Sequence, residues 1–235
     1  MLFLRSLIFS TGSIISTIFF AITCLVTVIL PYRYRYAYIC QWRFFNLWWL
    51  EKVCAIHYEV EGLENIPAEG PAIIFCKHQS TWETLAIAKL FPPHVWVLKR
   101  ELLWVPFFGW GLAMLEPIAI DRGAGRKAIK QIIQQGKDRL AKGRWVVVFP
   151  EGTRVPHGQE KKFGIGGAIL AESSGVQVVP VAHNAGKYWA RKRFIKQPGT
   201  VKIVIGPAIQ SKGRKTAEIN ADAEMWINET VKKIG

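Results

Sequence analysis

GPAIIFCKHQSTWE, residues 70–83, is the stretch that decides the fold, because it contains a strand, a turn and the start of a helix. The apolar run 72–76 follows a Gly-Pro pair and predicts a short buried strand. After it, Ser80 suits the N-cap of a helix and Glu83 its third position, a spacing typical of a capping box. The stretch therefore predicts a strand that runs through a turn into a helix.

The same alternation continues to the end of the chain. Apolar runs predict five further strands, at 95–98, 117–120, 145–149, 176–181 and 201–205. Helical periodicity predicts helices at 81–91, 126–141, 163–173 and 216–233. Alternating strands and helices are typical of an α/β domain with a mostly parallel sheet flanked by helices. We expect this domain to cover residues 59–235.

The first 58 residues have a different composition. Residues 7–30 carry no charge, and at about 1.5 Å per residue a helix of that length covers a bilayer core of roughly 30 Å. The alternatives are a cleaved signal peptide and a buried core helix, but no cleavage pattern follows the stretch. Residues 32–58 interleave aromatic rings with Arg and Lys, which is typical of an interfacial or half-inserted helix. We therefore expect residues 1–58 to be an N-terminal membrane anchor.

The chain is strongly basic. It carries 31 Lys and Arg against 17 Asp and Glu, a formal net charge of +14. This charge predicts an anionic partner, which is nucleic acid, an anionic phospholipid membrane or a phosphorylated small molecule. Arg5 alone precedes the apolar stretch and several arginines follow it, so we expect the bulk of the chain in the cytoplasm. The basic segment 187–196 is either a site for anionic groups or a solvated face.

His78 and Glu83 are the candidate catalytic residues. On one continuous helix, residues five apart lie about 140° apart around the axis and do not face each other. With His78 in the turn before the helix, Glu83 can accept a hydrogen bond from Nδ1–H and leave Nε2 as a base. The alternative is that Glu83 only caps the helix. The sequence leaves both interpretations open.

Two further predicted strands end in charged residues, where open α/β sheets bind ligands. The strand 145–149 runs into Pro-Glu-Gly-Thr-Arg, in which Arg154 offers a planar fork suited to phosphate. The strand 117–120 is followed by Asp121 and Arg122. The alternatives are a surface arginine on a glycine turn and a local ion pair of Asp121 with Arg122. A Val-Pro-Val run at 179–181 either lines a channel or is ordinary core.

In this order, these motifs resemble the glycerolipid acyltransferase family, most closely its bacterial 1-acyl-sn-glycerol-3-phosphate acyltransferases. The resemblance covers roughly residues 55–210, and Phe-Pro-Glu-Gly-Thr-Arg at 149–154 is its most specific part. The family's catalytic motif is His-x4-Asp, whereas His78 is followed here by Glu83. The resemblance implies phosphate-binding roles for Lys99, Arg122, Glu151, Gly152, Thr153 and Arg154. It also implies an acyl-chain or packing role for Val179, Pro180 and Val181.

The implied reaction is transfer of a fatty acyl group from acyl-CoA or acyl carrier protein to the free hydroxyl of lysophosphatidic acid. The product is phosphatidic acid for phospholipid synthesis, and the implied location is the bacterial inner membrane. We expect His78 to be the general base without an acyl-enzyme, because no Gly-x-Ser-x-Gly elbow precedes it. We expect no cofactor and no metal, because the histidines lack partners at ligand spacing.

Other functions stay open at this point. The acceptor can be another lyso-lipid, such as a lyso-ornithine lipid, or the enzyme can be a hydrolase of acyl thioesters. A different class is a non-enzymatic, membrane-anchored protein that binds nucleic acid. We expect no nucleic acid partner, because the arginines lie at strand ends beside acids and no nucleic-acid-binding motif is visible.

Overall fold

The structure, a computed structural model, describes residues 1–121 and 123–235 together with the backbone of Arg122. The strands of its sheet are β1 Ile56–Glu61, β2 Ile73–Cys76, β3 His94–Lys99, β4 Ile118–Ile120, β5 Trp145–Val148, β6 Val178–His183 and β7 Gly199–Ile205. The α-helices are α1 Leu2–Cys24, α2 Tyr32–Cys54, α3 Trp82–Leu90, α4 Phe108–Ala113, α5 Arg126–Ala141, α6 Gly166–Ser174 and α7 Thr216–Ile234.

The seven strands form one sheet in the order β1-β7-β6-β2-β5-β3-β4. Neighbouring strands are parallel except for the antiparallel pair of β6 and β7. Strands β6, β2, β5, β3 and β4 therefore end at the same edge, which we call the carboxyl edge. The prediction of a mostly parallel α/β sheet flanked by helices is confirmed.

The two faces of the sheet have separate apolar cores. Because successive side chains of a strand point to opposite faces, Ile74 and Cys76 of β2 pack with α2 and α3, whereas Ile73 and Phe75 pack with α5, α6 and α7. All four side chains are completely buried. The sheet is thus covered on both sides, as the continuous apolar runs of its central strands require.

The predicted boundary between anchor and domain falls inside a strand. Helix α2 ends at Cys54, and Ala55 adopts a left-handed conformation with φ of 53° that turns the chain into β1. The helix predicted over 32–58 is therefore too long, and the sheet begins at Ile56. Strand β1 alternates buried and exposed residues, among them His57 and Glu59, so it lacks the continuous apolar run of the other strands.

Helices α1 and α2 form an antiparallel hairpin. The Tyr38 hydroxyl donates to Thr23 Oγ1 at 2.6 Å, and the Asn46 amide donates to Ser16 Oγ at 3.3 Å. Gly12 allows the helices to approach closely, because a Cβ at that position would lie 2.3 Å from the Nε1 atom of Trp49. The hairpin brings α1 alongside α2 rather than away from the domain.

Helix α1 has one packed face and one exposed apolar face. Its packed face includes Phe9 and Cys24, which are buried. The exposed face carries large apolar side chains, namely Phe3, Leu4, Leu7, Ile8, Ile14, Ile15, Phe19 and Ile22. Together with the short 3-10 helix after it, α1 is long and apolar enough to cross a membrane, with a mean hydropathy of 2.2. The apolar face indicates membrane association.

The basic segment 187–196 contributes to the packing of α1. Lys196 is buried, its backbone N–H donates to Ser6 Oγ at 2.9 Å, and its ammonium donates to Ser10 Oγ at 3.2 Å. Four other cations of this segment are exposed, namely Lys187, Arg191, Lys192 and Arg193. The segment is therefore a partly solvated face that also fixes the first turns of α1 to the domain.

Candidate active site

The turn after β2 carries the central residues of the site. Lys77 extends the strand pairing, because its N–H donates to Val181 O at 2.9 Å. Val155, beyond the end of β5, donates its N–H to His78 O at 2.7 Å. These contacts hold the turn between the neighbouring strands at the carboxyl edge, and α3 begins directly after it at Trp82.

His78 and Glu83 are in direct contact. His78 Nδ1 lies 2.8 Å from Glu83 Oε1, and the same oxygen accepts the N–H groups of Gln79 at 3.1 Å and Ser80 at 2.9 Å. His78 stands in the turn before the helix, where its ring folds back over the first turn. Glu83 therefore caps the start of α3 and orients His78 at the same time, so the two interpretations of this carboxylate do not exclude each other.

The surroundings of Glu83 keep its carboxylate charged. Burial raises its pKa, but the nearby ring of His183 and the hydrogen bonds from His78 and Ser80 outweigh this effect and hold the pKa below its usual range. Burial lowers the pKa of His183, and the nearby charge of Glu83 opposes this effect. The Nε2–H of His183 donates to Lys77 O at 2.8 Å, and its Nδ1 accepts from Ala185 N–H at 3.2 Å.

Two aromatic rings fix the plane of the His78 imidazole. The Phe149 ring stacks on it with centroids 3.8 Å apart and planes at 13°. Trp96 stacks in turn on Phe149, with centroids 5.4 Å apart. The His78 side chain is only 12% exposed. Because Nδ1–H points to Glu83, the imidazole takes the tautomer with its lone pair on Nε2.

An apolar cavity of about 270 Å³ opens beside His78. Its walls come largely from α1, α2 and α4, and the lining residues of these helices include Phe20, Ala21, Ile39, Trp42 and Leu112. The lining also includes the guanidinium of Arg43, which lies over the ring of Trp96 at 5.9 Å. The sequence did not predict this cavity, because α4 has only six residues and α1 and α2 were interpreted as an anchor alone.

Arg154 lines the cavity together with His78. Its Nε donates to Ser80 O at 2.7 Å, and its own carbonyl accepts from Arg191 Nη1 at 2.9 Å. The guanidinium is therefore held against the turn that carries His78. This is the position that an anionic group needs if it is bound next to the base.

The other predicted cations lie at the same edge but are placed differently. Lys99 ends β3, is half exposed and pairs with Glu101 at 3.3 Å. It does not line the cavity. The side chain of Arg122, which follows β4, lies outside the described residues. Asp121 pairs with Arg100 at 3.0 Å.

The turn 150–153 after β5 does not present all its predicted phosphate-binding residues to the cavity. Gly152 has φ of +69°, which favours glycine in this turn, and Thr153 is half-buried. Glu151 is buried, and its carboxylate lies 2.7 Å from the ammonium of Lys77. A carboxylate at this place has no contact with the cavity. Its predicted role in binding phosphate is therefore not supported by its position.

Val179, Pro180 and Val181 lie in β6, at the centre of the sheet. All three are buried, and the two valines belong to the core under α2 and α3. None of them lines the cavity. The acyl-chain or packing role of these three residues stays a prediction. Among the described residues, no group of three or more His, Cys, Asp or Glu is placed to hold a metal ion.

Comparison with known proteins gives consistent results. The acyltransferase family model matches residues 57–184. The chain is 52% identical to 1-acyl-sn-glycerol-3-phosphate acyltransferase of Pseudomonas aeruginosa over 213 residues, which cover 89% of this chain and 82% of that protein. It is 28% identical to the human 1-acyl-sn-glycerol-3-phosphate acyltransferase alpha, covering 72% of this chain and 60% of the human protein.

A solved structure has the same fold. The crystal structure of the 1-acyl-sn-glycerophosphate (LPA) acyltransferase PlsC from Thermotoga maritima superposes with a TM-score of 0.83 at 25% identity. The match covers 98% of this chain and 95% of that one, so it includes both N-terminal helices. The predicted family resemblance is confirmed, and the chain is an enzyme that belongs to the acyltransferase family.

Proposed function

We propose that this enzyme transfers an acyl group from a thioester to the free hydroxyl of 1-acyl-sn-glycerol-3-phosphate and so makes phosphatidic acid. The observation that carries the proposal is the His78–Glu83 pair, whose His78 lines an apolar cavity together with Arg154. The names of the bacterial and human relatives support the same substrate.

His78 acts as the general base. Its Nε2 takes the proton of the acceptor hydroxyl as the hydroxyl oxygen attacks the thioester carbonyl. Glu83 holds Nδ1–H and stabilises the imidazolium that forms. When the tetrahedral intermediate collapses, the C–S bond breaks and His78 returns the proton to the leaving thiolate. The ester bond has then formed and the base is restored.

The cavity accepts an acyl chain. Its lining is predominantly apolar, and α1, which provides one wall, has its exposed apolar face on the outside of the protein. An acyl chain held in the cavity then lies against α1, whose other face is apolar and exposed. This placement favours a substrate that already resides in a membrane.

The cations at the carboxyl edge bind the acceptor phosphate. Arg154 is fixed beside His78 by its bond to Ser80 O, and a guanidinium binds phosphate through two parallel hydrogen bonds. Lys99, the last residue of the neighbouring strand β3, adds positive charge at the same edge, and the resemblance implies the same role for Arg122. The phosphate then sets the distance of the acceptor hydroxyl from the base.

The acyl donor is acyl-CoA or an acyl carrier protein. The exposed cations Lys187, Arg191 and Lys192 lie in one segment, which Arg191 joins to Arg154 by its bond to the Arg154 carbonyl. Both donors carry phosphate groups that these cations attract. We place the enzyme on the inner membrane of a bacterium with its sheet domain in the cytoplasm, because the arginines follow the apolar helix.

The test is acyl transfer by the purified protein in phospholipid vesicles. Labelled acyl-CoA and acyl carrier protein are each offered with lysophosphatidic acid, other lysophospholipids and a lyso-ornithine lipid. We expect labelled phosphatidic acid as the main product, and its loss in His78→Ala by a factor on the order of 10²–10⁴. Preferential acylation of another lyso-lipid would contradict the proposed acceptor. Release of free fatty acid without an acceptor would contradict acyl transfer and indicate a hydrolase.

A further inference from the structure

We propose that Lys77 and Glu151 are positioning residues, which fix the backbone of the catalytic turn so that His78 faces the substrate. This inference rests on the proposed role of His78 as the base. Lys77 directly precedes His78, yet its side chain is only 1% exposed, and that of Glu151 is 0% exposed. The ammonium and the carboxylate are 2.7 Å apart.

The second oxygen of Glu151 connects this pair to the catalytic residue. Glu151 Oε2 accepts the backbone N–H of His78 at 2.9 Å. The next two N–H groups, those of Gln79 and Ser80, point to Glu83. Three consecutive N–H groups of the turn thus bind two buried carboxylates, and charge-assisted hydrogen bonds of this kind are the stronger ones in proteins.

Lys77 supplies the positive charge that this arrangement requires. The pKa of Glu151 is raised, mainly because the carboxyl group is buried, and the nearby charge of Glu83 raises it further. The ammonium of Lys77 lowers the pKa and so limits this rise. Two carboxylates in a buried turn repel each other, so one of them takes up a proton unless a cation compensates. A protonated Glu151 is a weaker acceptor for His78 N–H, and the turn then loses part of what fixes the backbone at His78.

The rest of Lys77 is fixed as well. Its N–H donates to Val181 O, and its carbonyl accepts from His183 Nε2. The carbonyl of His78 accepts from Val155 N–H. The backbone on both sides of the imidazole is therefore bound to β6 and to the turn after β5. Within this frame, the Glu151 carboxylate is the group that holds the His78 N–H.

Two double variants separate positioning from folding. Lys77→Met/Glu151→Gln and Lys77→Met/Glu151→Met both replace the ion pair by neutral side chains of similar size, which buried sites tolerate better than the loss of one partner. Only Gln can still accept the His78 N–H. We expect similar Tm values for the two variants. We expect kcat to be ten- to a hundredfold lower for Lys77→Met/Glu151→Met than for Lys77→Met/Glu151→Gln, because small displacements of a catalytic group cost up to about 10² in rate.

The KM values are measured for both substrates in the same experiments. We expect them to be equal in the two double variants, because neither Lys77 nor Glu151 contacts the cavity. Equal kcat values in the two variants would show that the pair only supports folding. A raised KM for lysophosphatidic acid in both variants would return Glu151 to the phosphate site.

A conservative variant keeps the test decisive if a double variant does not fold. Glu151→Asp retains the charge opposite Lys77 but is one methylene shorter, so it cannot reach both Lys77 and His78 N–H. We expect lowered kcat with unchanged KM, and wild-type kcat would overturn the inference. His78→Ala is measured alongside: its activity decides the proposed function, whereas the Glu151 variants decide only the positioning role.

Discussion

At the scale of single residues, Glu83 shows how one carboxylate serves two purposes. It accepts two backbone N–H groups of the turn and holds the imidazole of His78. The extra methylene of glutamate, compared with the aspartate usual in the family, is accommodated because His78 lies in the turn and its ring folds back. A spacing of five residues therefore gives direct contact that a continuous helix would not.

Glu83→Gln tests the electrostatic part of this role. An amide still accepts N–H groups through its oxygen, but it cannot stabilise an imidazolium as a carboxylate does. We expect kcat to fall by a factor on the order of a hundred. The NH₂ group of the glutamine amide would lie in a buried place among the N–H donors that now bind the carboxylate, where it finds no acceptor. We therefore expect the free energy of unfolding to fall by about 1–3 kcal/mol.

The measurements for Glu83→Gln are steady-state kinetics in vesicles and denaturant unfolding. Glu83→Asp is the matched control, because it keeps the charge and restores the acid usual in the family. We expect Glu83→Asp to be the more active of the two. A Gln variant with wild-type kcat would reduce Glu83 to a helix cap.

Arg154→Ala tests the binding of the acceptor phosphate. We expect the KM for lysophosphatidic acid to rise at least tenfold, while the KM for the acyl donor changes less, because Arg154 lines the cavity together with His78. Arg154→Lys restores the charge without the planar fork, so we expect partial rescue. The same increase for both substrates would argue that the bond from Arg154 to Ser80 O is the important one.

At the scale of elements, the sequence predicted long and periodic segments well. Helix α5 begins and ends where the pattern indicated, because its apolar side chains recur at helical spacing over 16 residues. Helix α4 was missed, since six residues are too few for a period to be recognised. Strand β1 was missed because its exposed positions are polar.

The role of α1 as a cavity wall belongs to this scale and was not predictable. Its apolar side chains are alike in composition whether they face lipid, the domain or a cavity. Which of them line the cavity depends on contacts with α2 and α4, which are distant in the sequence. In the same way, the burial of Glu151 depends on Lys77, 74 residues earlier in the chain, and no local pattern indicates that pair.

Gly111→Val tests whether the cavity holds the acyl chain. Gly111 lies in α4 and lines the cavity, and a Cβ at this position would have 4.0 Å to its nearest neighbour, Cys24 Sγ. The added side chain therefore fills cavity space without a clash at its first atom. We expect the ratio of kcat/KM for long over short acyl donors to fall at least fivefold.

The control for Gly111→Val is Ala113→Val, which adds bulk at an exposed position of the same helix. We expect Ala113→Val to leave the chain-length preference as it is in the natural protein. If both substitutions change the preference equally, the effect comes from α4 as a whole. An unchanged preference in Gly111→Val would remove the cavity from the acyl site.

At the scale of the whole molecule, we expect the exposed apolar face of α1 and the basic charge of the chain to act together on an anionic bilayer. Ile14→Lys and Ile15→Lys each place a charge on this face, where the natural side chains are exposed. We expect either substitution to weaken flotation with anionic vesicles at least fivefold, because burial of apolar area is lost. The circular dichroism spectrum should be unchanged.

The matched control replaces an exposed apolar side chain by lysine on another part of the protein. Met225 lies on α7, on the opposite face of the sheet from the hairpin, and is exposed. We expect Met225→Lys to bind vesicles as the natural protein does. Equal weakening by substitutions on α1 and on α7 would contradict a specific membrane face.

If the enzyme binds a bilayer through the apolar face of α1, as we propose, that face also determines which concentration governs the rate. An enzyme that takes its acceptor from the plane of the bilayer responds to the mole fraction of lysolipid among its neighbours and not to the amount per volume of solution. Dilution of the vesicles with buffer then leaves the turnover of bound enzyme unchanged, whereas addition of inert phospholipid to the same vesicles slows it. In the cell, the ratio of lysolipid to total lipid becomes the variable that the enzyme senses.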